Sequence, residues 1–490
     1  MRRTTLAKAS GLGLLAMLAV PALAFGQDDV INPQDQLPVT IDELNVLWII
    51  LGTCLVFFMQ AGFAFLEIGF SRGKNAGMGI AKILVNFSIA ALAWWAVGFA
   101  IAFGGDGTIA GDAGFFFQYD TGVGGLAGDL YGENATGTTA AFFIFQFMFC
   151  AVSLAIVWGT TLERIKFIAY VPFAIVFAGV IYPLIAHWGF GGGVFAEIGN
   201  GVQDFAGSSV VHLTGATAAL AGLLLLGPRK GKYGPDGAPR AIPGHNMPLF
   251  GLGVLILWLG WFGFNGASTL GTADNRFAEV VAVTNLGASG GVVAAMITIY
   301  LLNKTMDVGM IGNGAIAGLV AITAPSGYVE FWAAPIIGAV GGVIVVVGVL
   351  AIEKKLDDPV GALSAHGLAG IWGTLACGLF TSDRLAEYVG VGDPGLFYGG
   401  GLSQLGSQAA AVALTFVAVF ALSFITFFLI KMTVGLRVDE ADEDAGLDIA
   451  EHGMYGYPEQ FIPAAELVGY APPSRASTPA MVATKEEVPS

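Results

Sequence analysis

Residues 204–212 read Asp-Phe-Ala-Gly-Ser-Ser-Val-Val-His, and residues 358–366 read Asp-Pro-Val-Gly-Ala-Leu-Ser-Ala-His. Both stretches share the pattern D-x-x-G-x-x-x-x-H, and each opens an apolar segment about long enough to cross a bilayer as a helix. They begin the fifth and the tenth such segment of the chain. Since five crossings separate them, the two helices enter the membrane from opposite sides. The pattern therefore predicts an inverted repeat of five plus five helices.

The composition indicates an all-α integral membrane protein. Of the 490 residues 55% are hydrophobic and only 12% are charged, whereas a soluble chain of this length needs more charge to cover its surface. The 72 glycines suit membrane helices, because small residues let backbones approach closely. We predict a membrane domain over residues 25–436 with eleven spanning helices, the eleventh outside the repeat. The apolar segments lie near 43–70, 76–104, 138–160, 166–187, 205–227, 247–268, 277–303, 308–324, 329–352, 361–381 and 404–431.

Loop charge predicts the orientation of these helices. Lys and Arg fall in every second loop, with Arg276 and Arg384 as exceptions, and the loops 105–137 and 188–204 contain neither. Basic loops face the cytoplasm, so the alternation favours an outer N-terminus and an inner C-terminus, which requires an odd number of crossings. The basic loop residues are Arg72, Lys74, Arg164, Lys166, Arg229, Lys230, Lys232, Arg240, Lys304, Lys354, Lys355, Lys431 and Arg437.

The two ends of the chain differ from the membrane domain. Residues 1–24 have a basic start, a short apolar stretch and the sequence Ala22-Leu23-Ala24, a pattern typical of a cleaved secretory signal peptide. An uncleaved extra helix is the alternative. Residues 437–490 form a predicted cytosolic tail, whose acidic run over 439–451 is expected to be solvated and whose end is expected to be disordered.

His212 and His366 are the residues most indicative of function. Ionisable side chains within spans are costly and usually mark a pathway. Each histidine lies about two turns into its helix, and the repeat brings the pair together near the middle of the protein. Imidazole gains and loses protons near neutral pH, so the pair is suited to line a polar conduit or relay a proton. A pair of core histidines bonded to backbone carbonyls is the alternative.

Asp204 and Asp358 each stand at a predicted helix start. Carboxylates there accept backbone N–H bonds, which makes both residues candidate caps. Asp204 falls on the predicted outer side, where it is also placed to attract a cation.

Aromatic residues cluster around the predicted path. Helical spacing puts Phe145 and Phe149 on one face of the third segment, and Trp261 and Phe264 on one face of the sixth, with Ser268 about a turn further out. Aromatic faces attract cations and a hydroxyl accepts hydrogen bonds, so these residues favour a cation site at the outer end. Packing aromatics are the alternative.

Two acidic residues near the predicted inner ends of helices are expected to form ion pairs rather than to act chemically. Glu67 precedes the basic stretch Ser71 to Asn75, and Glu163 stands beside Arg164.

In combination these stretches resemble the ammonium transporter family, in the Amt branch of the Amt/Mep/Rh superfamily. The resemblance runs in order along nearly the whole chain after residue 24. It rests on Gly73-Lys74-Asn75, Phe145-Gln146 to Phe149, Glu163-Arg164, Asp204 to His212, Trp261 to Asn265, Asp357-Asp358-Pro359, His366-Gly367, Gly435 to Val438, Gly446-Leu447-Asp448 and His452-Gly453.

The resemblance implies a homotrimer with one pathway per subunit, which takes up ammonium and methylammonium across the bacterial cytoplasmic (inner) membrane. It implies an outer recruitment site of Phe149, Trp261, Ser268 and Asp204, with Asp204 aiding deprotonation. It implies that Phe149 and Phe264 stack as a gate above a hydrophobic pore lined by His212 and His366, with Phe145, Asp358 and Asn265 in supporting positions. No enzyme activity, cofactor, metal or nucleic-acid partner is predicted. A PII-type regulatory protein is a candidate partner on the cytoplasmic face.

Three positions depart from the family pattern. Phe190 stands where the family often has Trp, with Trp188 two residues earlier as a candidate substitute, and a weaker cation–π face predicts lower affinity. Met454 replaces the usual Glu after His452-Gly453, and Glu67 stands where several relatives have an uncharged residue.

Three other functions compete with transport of ammonium. A sensor of the same family would usually carry an added signalling domain, for which the tail is too short. An intramembrane metalloenzyme using both histidines and Asp204 would need a further ligand and a general base, and HExxH is absent from the sequence. A neutral gas channel of the Rh type is disfavoured by Gly435-Leu436-Arg437-Val438.

Overall fold

The computed structural model describes residues 41–105, 107–117 and 136–462. The predicted signal peptide and the end of the tail lie outside the described residues. The contacts reported below all lie within residues 45–462. The described part of the chain is helical, and its bridges of β type are isolated ones, such as Ile165 with Arg437.

Ten helices in the described ranges are long and apolar enough to cross a membrane, judged by length and composition. An eleventh apolar helix, α8, has 16 residues and is shorter than the others. The helices are α1 Ile41–Phe70, α2 Gly73–Phe103, α3 Thr136–Gly159, α4 Phe167–Glu197, α5 Ser208–Leu226, α6 Met247–Thr269, α7 Arg276–Asn303, α8 Val308–Thr323, α9 Ala333–Ile352, α10 Leu363–Phe380 and α11 Ser403–Thr433. Each overlaps a predicted segment, with α4 extending beyond the predicted end at 187, and the hydrophobic pattern therefore locates these helices.

Large apolar side chains cover the outside of this bundle. Leu92 on α2, Leu255 on α6 and Val417 on α11 are each more than 60% exposed. In water such a surface would be unstable, whereas lipid tails solvate it.

Glycine lets α7, α8 and α9 pack backbone against backbone. A Cβ added to Gly338 on α9 would lie 1.8 Å from the carbonyl oxygen of Gly287 on α7, and one on Gly342 would lie 2.3 Å from the oxygen of Gly291. Only glycine permits this approach, which explains part of the high glycine content.

The two D-x-x-G-x-x-x-x-H stretches adopt the same local structure. Gly207 and Gly361 both have left-handed φ values, of 115° and 75°. A single turn of π-helix follows each, over Ser208–Leu213 and Leu363–Leu368, and contains the histidine. The helices begin at 208 and 363 rather than at the predicted 205 and 361, because the residues from the Asp to the Gly form the cap and turn. π turns of this kind are frequent at functional sites.

The described part of the tail packs on the membrane domain. Three short helices, Glu440–Ala445, Leu447–His452 and Pro458–Phe461, follow α11. Asp448 is fully buried and accepts hydrogen bonds from the backbone N–H groups of Gly77 and Met78, at 2.9 and 2.8 Å. Glu443 is also buried. The prediction that the acidic run is solvated is therefore wrong for these two residues, because one carboxylate caps the start of α2.

Candidate functional site

The two histidines lie side by side in the interior. Their Nδ1 atoms are 3.2 Å apart, and their ring centroids are separated by 5.3 Å at an interplanar angle of 21°. His212 is fully buried and His366 is 6% exposed. The inference from the repeat that these side chains meet agrees with this geometry, since each histidine occupies the π turn at the start of its helix.

His212 is stacked between aromatic rings and its fellow imidazole. Trp261 lies 5.1 Å from His212 at 19°, and Phe264 lies 5.5 Å from it at 28°. The Nε2 atom of His212 is buried without a hydrogen-bond partner. A buried nitrogen without a partner has lost its hydrogen bond to water, which costs free energy. A polar solute that passes the ring would restore a hydrogen bond to it.

Two phenylalanines continue the row of rings beyond His212. The ring centroids of Phe149 and Phe264 are 4.2 Å apart at 33°, and both side chains are almost completely buried. Phe145 packs edge-on against Phe149 at 4.8 Å. The order Phe149, Phe264, His212, His366 thus forms one contiguous column of side chains.

A cavity of about 240 Å³ opens at the Phe149 end of this column. Its polar side chains are Gln146, Asp204 and Ser268, and the Ser268 hydroxyl donates to the Phe264 carbonyl at 2.8 Å, which leaves its oxygen able to accept. The remaining lining is Phe142, Phe145, Phe149, Gly189, Phe190, Val202, Phe205, Leu270, Tyr328, Val389 and Val391. An aromatic cavity with a carboxylate and a hydroxyl suits a small cation.

Trp261 does not line this outer cavity, contrary to its predicted place in the recruitment site. Its side chain is fully buried, stacks on His212 and donates its Nε1–H to Thr323 Oγ1 at 2.8 Å. Helical periodicity gave the correct face of α6 but not the depth, since Trp261 lies two turns further in than Ser268.

Phe190, in contrast, lines the cavity and meets Phe149 edge-on at 6.4 Å. Trp188 donates to the Ile109 carbonyl at 2.9 Å and packs near Phe195, outside the cavity lining. Trp188 therefore does not substitute for the ring at position 190.

Asp204 caps α5 with both carboxylate oxygens. Oδ1 accepts from the N–H groups of Gly207 and Ser208, and Oδ2 accepts from those of Ser209 and Val210, at 2.8 to 3.0 Å. Burial raises the pKa of Asp204 to about 6, against the opposing effect of the four N–H donors. The residue is thus both a cap and a part of the outer cavity.

Asp358 is the equivalent cap on α10. It accepts from the N–H groups of Gly361 and Leu363 at 3.1 and 2.8 Å, and burial raises its pKa. It borders a different cavity, described below. Asn265 lies outside the row of rings and donates to Thr284 Oγ1 at 3.0 Å, joining α6 to α7.

Two cavities lie on the far side of His366. A small one of about 20 Å³ touches His366, Phe63, Glu67 and Asn313, and has room for about one water molecule. A larger one of about 200 Å³ is bordered by Asn313, Asp358 and basic residues that include Arg229 and Lys232. Asn313 and Val360 line both, so the column of rings leads towards the larger cavity, which we call the inner vestibule after the predicted orientation.

Lys82 is a buried charged residue that the sequence analysis missed. It is 1% exposed on α2 and forms an ion pair with Glu67, which is also 1% exposed. The predicted ion pairing of Glu67 is confirmed, but the partner lies within a span. A positive residue inside an apolar segment was the signal that could have identified it.

Glu163 also forms ion pairs, as predicted. Its partners are Arg72 at 2.8 Å and Arg229 at 3.3 Å, not the neighbouring Arg164. Arg229 in turn bonds Asp357 at 2.9 Å. Burial opposes ionisation of Asp357, but the hydrogen bonds and charge of Arg229 hold its pKa at about 2.

Comparison with known proteins identifies the family of this chain. The model of the Ammonium Transporter Family matches residues 47–457. The chain belongs to this family. It is 41% identical over 442 residues to "Ammonium transporter Amt2" of Archaeoglobus fulgidus, which covers 88% of this chain and 90% of the relative.

Solved structures of the family share the fold. A structure titled "Sensor Amt Protein" matches with a TM-score of 0.76 and 35% identity, over 84% of this chain and 98% of that one. The structure of Candida albicans Mep2 matches with a TM-score of 0.73 and 28% identity, over 82% and 87% of the two chains. The family resemblance read from the sequence is therefore confirmed.

Proposed function

We propose that this chain takes up ammonium and methylammonium selectively across the membrane. The observation that carries the proposal is the buried pair His212 and His366 at the end of a column of rings that starts in an aromatic cavity. Membership of the Ammonium Transporter Family supports the same substrate.

Ammonium is captured in the outer cavity. Its positive charge is attracted by the rings of Phe149 and Phe190, and its N–H groups donate to the Ser268 hydroxyl oxygen. Asp204 adds negative charge at the same cavity when it is ionised. Trp261 takes no part in this step in our proposal and instead holds His212 in place.

Selectivity comes from deprotonation. Potassium and ammonium have the same charge and similar size, and a bare ion of either kind is costly in an apolar pore. Ammonium can leave its proton and cross as ammonia, whereas potassium cannot. The imidazoles of His212 and His366 take up the proton that ammonium leaves, and their ring nitrogens accept or donate to the passing ammonia.

Phe149 and Phe264 separate the cavity from the histidines. Ring contact at 4.2 Å leaves no passage between them, so transport requires the side chains to rotate. We assign them the role of a gate, which also keeps water out of the pore.

Further features of this proposal rest on the sequence pattern and on the family resemblance. These are eleven crossings with an outer N-terminus and an inner C-terminus, a cleaved signal peptide over 1–24, a cytosolic tail from 437, three subunits each with its own pathway, and a bacterial inner-membrane location. A PII-type protein is a proposed partner of the inner face.

Uptake of labelled methylammonium by cells that lack their own transporters tests the proposal. We expect uptake that unlabelled ammonium suppresses and that an equal concentration of potassium leaves unchanged. Uptake no greater than in cells with the empty vector would contradict it.

A further inference from the structure

The ion pair of Glu67 and Lys82 is an unusual feature of the interior. The Glu67 Oε2 atom accepts from Lys82 Nζ, which also points towards the Trp158 carbonyl at 3.4 Å. Both side chains belong to membrane helices and have almost no exposure. Desolvation of two charges costs as much as their attraction returns, so stability alone gives no reason for a pair at this place.

Glu67 shares a cavity with His366. The cavity of about 20 Å³ between them holds about one water molecule. Apart from Asn313, its other lining residues are apolar: Phe63, Leu66, Ile156, Gly159, Leu257, Ile316, Val360, Ala362 and Ala365. Glu67 and His366 are therefore the titratable groups of this cavity, and a single water can join them.

The second oxygen of Glu67 faces this space. Oε2 is bonded to Lys82, whereas a methyl group placed on Gly159 would lie 3.8 Å from Oε1. Gly159 and Glu67 both line the cavity, so Oε1 lies at the cavity wall. On the imidazole side, Nδ1 of His366 faces His212, which leaves Nε2 for exchange with the cavity.

We propose that Glu67, positioned by Lys82, is the inner proton acceptor and donor of the transport path. The inference rests on the proposed function, because it concerns the proton that ammonium leaves at the outer end. His366 Nε2–H gives its proton through one water to Glu67 Oε1, and the imidazole returns to its neutral form. The Glu67 carboxyl then protonates ammonia in the small cavity, next to Asn313, which forms ammonium and restores the carboxylate before the ammonium leaves by the inner vestibule.

Lys82 has a positioning role in this scheme. Its positive charge offsets part of the cost of a buried carboxylate, and its bond to Oε2 leaves Oε1 facing the cavity. The pair has no net charge at rest, so it offers a proton acceptor without an uncompensated charge in the membrane.

The experiment compares wild-type protein with a neutral double variant, Glu67→Gln with Lys82→Gln, in proteoliposomes. Current after an ammonium pulse and uptake of labelled methylammonium are both measured. We expect the neutral pair to lower the current at least about a hundredfold, the lower end of general acid–base effects. Arg276→Gln with Glu279→Gln is the control, since this ion pair lies at the start of α7 and neither residue lines the three cavities along the path, and we expect it to keep the wild-type current.

Two further variants separate chemistry from structure. Glu67→Lys with Lys82→Glu keeps an ion pair but moves the carboxylate from α1 to α2, and we expect it to lose current like the neutral pair. Glu67→Asp keeps a carboxylate at the cavity, and we expect more than half of the current. A structural ion pair would instead preserve transport in the swapped variant.

The outcomes distinguish this inference from the proposed function. Wild-type current from the neutral or swapped pair, or loss of current in Glu67→Asp as large as in the neutral pair, would overturn the relay alone. Wild-type uptake without any current would also overturn the relay alone. A wild-type protein without ammonium-dependent uptake would overturn the proposed function and the relay with it. If the neutral pair fails to fold, the swapped pair and Glu67→Asp decide the question.

Discussion

Nδ1 of His366 lies 3.2 Å from Nδ1 of His212, so one ring must donate and the other accept. In the uncharged pair, the donor ring has its proton on Nδ1 and a bare Nε2, while the acceptor ring has its proton on Nε2. The two imidazoles therefore carry opposite tautomers, and a proton that enters at one Nε2 can leave at the other after transfer between the Nδ1 atoms. This arrangement allows the pair to pass a proton from the Nε2 atom of one ring to that of the other.

Loss of either imidazole should break this chain. We expect His212→Ala and His366→Ala each to lower ammonium-dependent current by about a hundredfold, a magnitude typical of removing a general acid or base. His245→Ala is a suitable control, because His245 bonds Ser71 and Tyr457 away from the ring column. Selectivity against potassium that is unchanged when both histidines are replaced would contradict proton handling by the pair.

Position 190 should control the affinity of the outer cavity. We expect Phe190→Trp to lower the half-saturating ammonium concentration about threefold, since a stronger cation–π face contributes about 0.5–1 kcal/mol. Trp188→Phe is the control, because that side chain bonds Ile109 and does not line the cavity. An equal effect of both variants in a methylammonium uptake assay would count against the assigned cavity.

Asp204 should make uptake depend on external pH. Its pKa is raised to about 6, so the carboxylate is ionised above pH 6 and becomes neutral below it. We expect uptake at subsaturating ammonium to fall as the external pH drops through 6, and Asp204→Asn to abolish this step. Asp358→Asn, which removes the equivalent cap at the other cavity, should leave the external pH profile in place.

The same group gives a stability prediction with a definite sign. The folded pKa of Asp204 lies above its ordinary value of 3.8, so the folded state holds a proton that the unfolded state has lost between pH 4 and 6. Stability contributed by Asp204 is therefore present below pH 4 and is lost as the pH rises to 6. Melting temperatures of wild-type protein and Asp204→Asn across this range measure the difference, and a wild-type contribution that grows with pH would contradict the assignment.

The stability contributed by Asp357 depends on pH in the opposite direction. Its folded pKa is about 2, below the ordinary 3.8, so its stabilisation is present above pH 4 and is lost as the pH falls towards 2. We expect Asp357→Asn to destabilise the protein by about 3 kcal/mol at neutral pH, because Arg229 is left as a buried charge without its main partner. Thermal unfolding in detergent gives the measurement. A variant as stable as wild type would show that Glu163 alone compensates Arg229.

The sequence predicts most of the fold because membrane helices have a strong local signal. All eleven apolar segments correspond to helices, and the shared Asp, Gly and His positions mark two stretches that adopt the same local structure. The depth of a side chain in the membrane domain and the pairing of residues distant in sequence were harder to predict. Periodicity placed Trp261 and Ser268 near one face but could not show that seven residues of helix, about 10 Å, separate their levels.

The contact of Glu67 with Lys82 depends on how α1 packs against α2. The two residues are fifteen positions apart on different helices, and no local pattern joins them. The burial of Asp448 likewise depends on a contact between distant parts of the chain, since the backbone N–H groups that donate to it lie on α2, while the surrounding acidic run resembles a solvated surface. Sequence composition describes the average environment of such a run, whereas tertiary contacts decide whether each side chain is buried.

The most direct test of the account is the current that follows an ammonium pulse on proteoliposomes containing the purified protein, compared with a potassium pulse of equal concentration. We predict a current with ammonium and none with potassium, because only ammonium can divide into a proton and a neutral molecule that cross the apolar pore. Equal currents from the two cations would contradict the proposed selectivity, and no current from ammonium would contradict proton transfer through the pore.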